Sequence, residues 1–379
     1  MTPPPPPPSP PTVSATTNSS TSSTTDTSSC VSYLPPPFVS SSASSDMLNY
    51  LWIPLLIALS KELTASADTQ STAVPLLLPS EIDAFPRIQR CPAANPQLNY
   101  RPVIGILSHP GDGASGRLNN ASNASYIAAS YVKFVESAGA RVIPLIYNEP
   151  REILYEKLNL VNGMLFTGGW AKSGLYLEVV ESIFKNVLSK NDAGDHFPLL
   201  AICLGFELLT MVVSTADQAS TLQFMRNIDI NGTVFQRFPP ALLKKLSTDC
   251  LVMQNHHYGI TPEKFVKDGN LCSFFKILTT SADTDNKVYV STVQAHRYPV
   301  TAFQWHPEKN AFEWGLSMIP HSEDAVQVTQ HVANFFVREA RKSMNRPSAR
   351  KVLDNLIYNY SPTYCGKAGK GYDEVYIFT

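Results

Sequence analysis

From Tyr100 onward the chain alternates between short, near-continuous apolar runs and longer segments whose apolar residues recur at helical spacing. "PVIGILSH" (102–109) has strand length and is rich in β-branched residues. "SYIAASYVKFVESAG" (125–139) follows, with Ile127, Tyr131, Phe134, Val135 and Ala138 on one helical stripe and Gly139 as its stop. "ARVIPLIY" (140–147) predicts a second strand, and "EPREILYEKLN" (149–159) a helix with an acidic first turn. "NGMLFTGG" (162–169) is a third strand, 175–190 a helix, and "FPLLAI" (197–202) a fourth strand running into the helix of "LGFELLTM" (204–211). Such strand–helix alternation, with strands apolar throughout, predicts an α/β fold: a flavodoxin-like, doubly wound, mostly parallel sheet with helices on both faces. In sheets of this kind the active site lies outside the carboxyl ends of the strands.

That rule singles out Cys203. A lone cysteine in an apolar run is ordinarily core filler. Cys203, however, sits where a buried strand stops and a helix begins, in Ala201-Ile202-Cys203-Leu204-Gly205. Small–x–nucleophile–x–Gly is the cysteine counterpart of a nucleophile elbow, in which small residues let strand and helix pack around a tight turn. The helix N-terminus favours the thiolate. The backbone N–H of Leu204 would face an oxyanion, and Gly169, at the end of another strand, would supply the second donor.

A nucleophile needs a base. "YPVTAFQWHPEKNAFEW" (298–314) reads as a strand ending at His306-Pro307-Glu308. The residue before a proline is held extended, and in an extended segment positions i and i+2 share a face. His306 as base and Glu308 as its orienter therefore form a plausible pair; the plainer alternative is a strand end with a surface glutamate.

Composition sets the surroundings. With 30 basic and 31 acidic side chains in 379 residues, the balance points to neither nucleic acid nor anionic membranes as partners. Residues 1–46 are rich in Pro, Ser and Thr and too poor in apolar residues to fold. Residues 47–67 contain the apolar stretch Leu51–Leu59 and then Ala65-Ser66-Ala67, which reads as a signal peptide with translation beginning at Met47; a buried helix is the alternative. A linker, 68–99, precedes the catalytic domain, 100–379. Entry to the secretory pathway would suit the sequons at Asn120, Asn123 and Asn231. Cys91, Cys250, Cys272 and Cys365 form an even set that admits three disulfide connectivities, or four reduced thiols. No CxxC pair marks a metal site.

The body resembles the γ-glutamyl hydrolases of the class I glutamine amidotransferase-like superfamily, in their plant form. The resemblance is carried by "RPVIGILSHPGDGASGR", "YIAASYVKFVESAGARVIPL", "FTGGW", "AICLGFELL", "FQRFPP", "NHHYGI", "FQWHPEKNAFEW" and "GYDEVYIF". It implies Cys203 as nucleophile, His306 as general base and later acid, Glu308 as orienter, and Glu207 and His256 at the substrate site, with His257 as rival to His256. It implies folylpoly-γ-glutamates and related γ-glutamyl conjugates as substrates, no metal or organic cofactor, a homodimer, and a vacuolar or extracellular destination, with no membrane attachment after signal cleavage. A glutaminase subunit releasing ammonia from glutamine, or a non-catalytic binding protein on this fold, are the alternatives. Two departures stand out. Ala201 replaces a glycine frequent in the wider class, and the segment after Ser214 is short.

Overall fold

The computed structural model describes residues 93–379 except 117, 119–121, 211–212, 215–217 and 367–371. The low-complexity head 1–46, the segment 47–67 expected to be a signal peptide and most of the linker fall outside the described residues, as do Asn120 and part of the short segment after Ser214. Everything described belongs to the compact unit Cys91–Thr379.

In chain order the first half holds β1 (Val103–Leu107), β2 (His109–Pro110), β3 (Ser125–Ala128), α1 (Ala129–Ser137) and β4 (Arg141–Leu145). There follow α2 (Arg151–Leu158), β5 (Met164–Phe166), α3 (Gly174–Asp192), β6 (Leu199–Ile202) and α4 (Leu204–Thr210). Next come β7 (Val213–Ser214), β8 (Gln218–Ser220), β9 (Gln223–Phe224), α5 (Pro240–Thr248), β10 (Val252–Gln254) and β11 (Tyr258–Gly259). Two short helices, α6 (Pro262–Lys267) and α7 (Gly269–Phe274), lead to β12 (Phe275–Ala282), β13 (Val288–Ala295) and β14 (Val300–Phe303). The chain then runs through α8 (Lys309–Phe312), α9 (Glu323–Ala340), α10 (Ala349–Asn355), β15 (Thr363–Tyr364) and β16 (Glu374–Phe378).

The main sheet has eight strands in the order β4-β1-β5-β6-β14-β13-β12-β9. The five from β4 to β14 are parallel, and β13, β12 and β9 extend one edge in antiparallel fashion. The mostly parallel, doubly wound sheet read from the sequence is therefore the one found. Alternation along each strand divides the core into two layers. Ile104, Ile106, Val142, Leu165, Leu200 and Ile202 pack with Phe134 of α1 and with Val328, Val332 and Phe336 of α9. Val103, Leu107, Ile143, Phe166 and Leu199 face the other way, onto Leu154 and Leu158 of α2 and Val180 and Ile183 of α3. A sheet buried on both faces leaves no polar side to its parallel strands, which is why their sequences are continuous rather than alternating.

One element differs from the sequence reading. The segment 125–139 is not helical throughout: Ser125–Ala128 is a strand, antiparallel to β16 on one side and to β2 on the other. Together with β15 these strands make a second, four-stranded sheet. The helical stripe continues through 125–128, but the backbone N–H and C=O groups there are claimed by the last strand of the chain, a partner that local periodicity cannot reveal.

Because β1, β5, β6 and β14 are parallel, their carboxyl ends lie along one edge of the sheet. His109, Gly168–Gly169, Cys203 and His306 follow these four strands. Strand order reverses between β1 and β5, so this edge is also a topological switch point, where α/β sheets hold their ligands.

Candidate active site

Cys203 is held in the left-handed region, with φ of 53°. For a residue with a Cβ this costs about 1–2 kcal/mol and persists only where the surroundings enforce it. Here they do. The Cys203 N–H donates to the Phe303 carbonyl at 2.7 Å, locking the turn to β14, and its own carbonyl accepts from Glu207 N at 2.9 Å as α4 begins. Gly205 makes the tight packing feasible. Its N–H donates to the Thr167 carbonyl, and an added Cβ would stand 2.9 Å from Phe166 Cβ and 3.0 Å from Phe166 O. Gly205→Ala should therefore lower stability by about 1–3 kcal/mol, read from urea unfolding. An unchanged midpoint would show that strand and helix separate freely.

His306 and Glu308 come together as the sequence spacing predicts, Nδ1 to Oε1 at 2.7 Å, both wholly buried. The His306 N–H donates to the Met253 carbonyl, which ties the end of β14 to β10. Burial opposes charge on the imidazole, but Glu308 and Cys203 overcome it and push the His306 pKa up to about 9. Burial likewise opposes the Glu308 carboxylate, and the His306 charge prevails, holding that group below its usual range. Nε2 of His306 is buried and makes no hydrogen bond of ordinary geometry. Cys203 Sγ lies 3.4 Å from the Asn255 carbonyl, an acceptor for the thiol proton. Gly168 separates the two groups narrowly: a Cβ there would lie 3.0 Å from His306 Cε1 and 3.4 Å from Cys203 Cβ.

The pair has a pH signature. His306 sits above its unfolded value of 6.5, so its contribution to stability is complete below 6.5 and lost as pH rises through about 9. Glu308 sits below 4.5, so its share is present above that value and lost only under stronger acid. The Tm gap between wild type and Glu308→Gln should be widest between pH 5 and 6.5 and should narrow toward pH 10. Turnover of the variant should fall roughly 100-fold or more with KM little changed, since only orientation and charge of the imidazole are disturbed. Equal turnover in the two proteins would leave Glu308 without a part.

Two backbone donors flank the thiol. The Leu204 N–H opens α4, and the Gly169 N–H lies in the loop after β5; neither has an acceptor among the described residues. Gly169 has φ of +150° and lines the cleft, and its Cα is pressed against the His109 ring, where a Cβ would come within 2.3 Å of Cδ2. The cleft has a volume of about 500 Å³, and its walls include Cys203, His306, Asn255, His257, Trp170 and Tyr372.

The remaining sequence candidates lie elsewhere. His256 is buried behind the cleft wall: Nδ1 lies 2.7 Å from the Tyr258 carbonyl, and Nε2 lies 2.9 Å from Gln254 Oε1. Burial lowers its pKa to about 4, and its two ring contacts brace the 254–258 turn. His257 is the histidine that reaches the cleft. Glu207 is also buried and does not line the cleft; its carboxylate pairs with Lys172 at 2.6 Å, and that ammonium lies 3.4 Å over the Tyr258 ring. Asn123 and Asn231 are exposed. Sequence reasoning overlooked Tyr131, whose hydroxyl accepts from Gly168 N at 2.9 Å, and the cleft residues Tyr126, Trp170 and Tyr372. Tyr372 reaches the cleft from the segment just before β16, so only the second sheet could have announced it.

The family profile described as Peptidase C26 matches residues 102–308. Gamma-glutamyl hydrolase 2 of Arabidopsis thaliana is 64% identical over 88% of this chain and 98% of its own length. Gamma-glutamyl hydrolase of Glycine max is 56% identical over 80% of this chain and 92% of its own, and that of Mus musculus 38% identical over 73% and 90%. Fold, site and relatives define a cysteine-type hydrolase of the α/β class. The chain belongs to the Peptidase C26 family of γ-glutamyl hydrolases, and the identities set it with the plant members.

Proposed function

We propose that the chain hydrolyses the γ-glutamyl amide bonds of folylpoly-γ-glutamates and related conjugates through a γ-glutamyl thioester on Cys203. The observation that carries this reading is the strained elbow that holds Cys203 beside a buried His306–Glu308 pair. Its relatives, γ-glutamyl hydrolases by name, support the bond type. Cys203 sulfur, giving its proton to His306, attacks the γ-carbonyl. The N–H groups of Leu204 and Gly169 receive the oxyanion, an effect worth about 3–4 kcal/mol per donor in related acyl-transfer chemistry. His306 gives its proton to the departing amine as the C–N bond breaks. Neutral His306 then takes a proton from water, whose oxygen attacks the thioester and frees the γ-carboxylate and the thiol. Glu308 keeps Nδ1–H pointing to itself, so that Nε2 always faces the sulfur.

Residues 47–67 as a signal peptide, glycosylation at Asn120, Asn123 and Asn231, a vacuolar or extracellular destination and a homodimer complete the reading. Among the described residues no helix is long and apolar enough to cross a membrane. Chromatography of products from pteroyl polyglutamate and from free glutamine tests the function. Cleavage of the first with little release of glutamate from the second is the expected result. Glutamine turnover matching that of the γ-linked chain would favour a glutaminase.

A further inference from the structure

His109 stands at the carboxyl edge of the sheet, and the hydrolytic cycle has no use for it. It follows β1, is fully buried, and packs edge-on against three aromatic rings, Tyr126, Trp170 and Tyr176, with centroids 5.1–5.4 Å away. Its hydrogen bonds fix its tautomer. Nδ1 lies 2.9 Å from the Pro110 carbonyl, which can only accept, so Nδ1 carries the proton. Nε2 lies 3.0 Å from both Trp170 N and Ala171 N, which can only donate, so Nε2 is a bare acceptor for two consecutive amides. Burial keeps the ring neutral by lowering its pKa to about 4.

The loop after β5 then accounts for its own donors. Gly168 N–H goes to the Tyr131 hydroxyl, and Trp170 and Ala171 N–H go to His109. Gly169 N–H alone among these four has no acceptor in the described residues, and Gly169 lines the cleft at Cys203. We propose that His109 is a positioning residue for the reaction: by accepting from Trp170 and Ala171 it pins the 168–171 loop so that the Gly169 N–H is presented to the developing oxyanion. It never touches substrate and acts through the loop. This rests on the cysteine-hydrolase reading of Cys203. It explains why the ring must be a neutral imidazole with Nδ1 protonated, since a protonated Nε2 would repel both amides.

The test compares His109→Gln with His109→Asn in the full chain. Glutamine places a carbonyl oxygen near the position of Nε2 and keeps the acceptor. Asparagine keeps a donor near the position of Nδ1 and loses the acceptor. With a γ-linked polyglutamate, His109→Asn should lower kcat about 10- to 100-fold while KM moves less than about threefold, and His109→Gln should stay within a few-fold of wild type. Alkylation of Cys203 by iodoacetamide forms no oxyanion, so its rate should be unchanged in both. Equal losses in the two variants, full kcat in His109→Asn, or a fall in alkylation that tracks the fall in kcat would overturn the proposal. Should His109→Asn not fold, His109→Met, which fills the pocket without an oxygen acceptor, takes its place with the same expectation. Turnover persisting in Cys203→Ala would instead defeat the hydrolase reading, whatever His109 does.

Discussion

Cys203→Ala should fold normally and lose at least 10⁴-fold in turnover. Alanine retains the Cβ, so the left-handed strain at φ of 53° is the same in both proteins, and only one sulfur atom facing the cleft is removed. The stability change should stay within about 1 kcal/mol. The expected loss is large because no other cysteine, and no serine or threonine, is among the described residues lining the cleft with His306 and Gly169. The same geometry orders the reactivity of the thiols. Cys203 is only 5% exposed, yet iodoacetamide should modify it before the exposed Cys272, since His306 beside it supplies a positive charge that Cys272 lacks. Activity in the alanine variant above one part in a hundred would remove Cys203 from the mechanism.

Discrimination between linkages is the second large effect. Chains joined through the γ-carboxyl should be cleaved at least 10³-fold faster, in kcat/KM, than chains of α-linked glutamate. A glutamyl unit docked by its α-carbon substituents presents an α-carbonyl two methylenes short of the γ-carbonyl, and a misplacement of even 1 Å costs about 100-fold where the attack geometry is fixed. Here it is fixed, by an elbow locked to Phe303 and a loop locked to Tyr131 and His109. Free glutamine offers the right carbonyl but an ammonia leaving group, so it forfeits all binding beyond the thiol. The cleft has room there, with Trp170 68% exposed at its mouth. Parallel assays on γ-linked and α-linked triglutamate decide the matter, and comparable rates would mean that the donors do not define one carbonyl position. The cleft presents no lysine or arginine among its described lining residues, which include Asp112, His257 and Asn255.

Much of this site was legible because its information is local. A strand that ends in small–x–Cys–x–Gly can only turn sharply there, and His306 and Glu308 are two residues apart in extended backbone, so one face carries both. Gly169 follows from the same strand-end rule. What could not be read depends on partners far away in sequence. Ser125–Ala128 looks helical until Glu374–Phe378 is paired with it. His109 stands at the end of the first strand, but its value lies in two amides some 60 residues on. His256 and His257 are adjacent and chemically identical, and only the path of the backbone after β10 decides that His257 faces the cleft while His256 turns inward to Gln254 and Tyr258. Glu207 carries a charge in a first helical turn, as many ordinary helices do, and its use as the partner of Lys172 depends on the loop beyond Gly169.

The central claim is a covalent one, that substrate carbon becomes bonded to Cys203 sulfur. Acid quenching during steady turnover of a γ-linked polyglutamate, followed by intact-mass and peptide mapping, tests it most directly. The account predicts a substrate-derived acyl group on the peptide containing Cys203, labile to hydroxylamine, absent from Cys203→Ala and enriched when deacylation is slowed in Glu308→Gln. Rapid turnover with an acyl group on any other residue would contradict it.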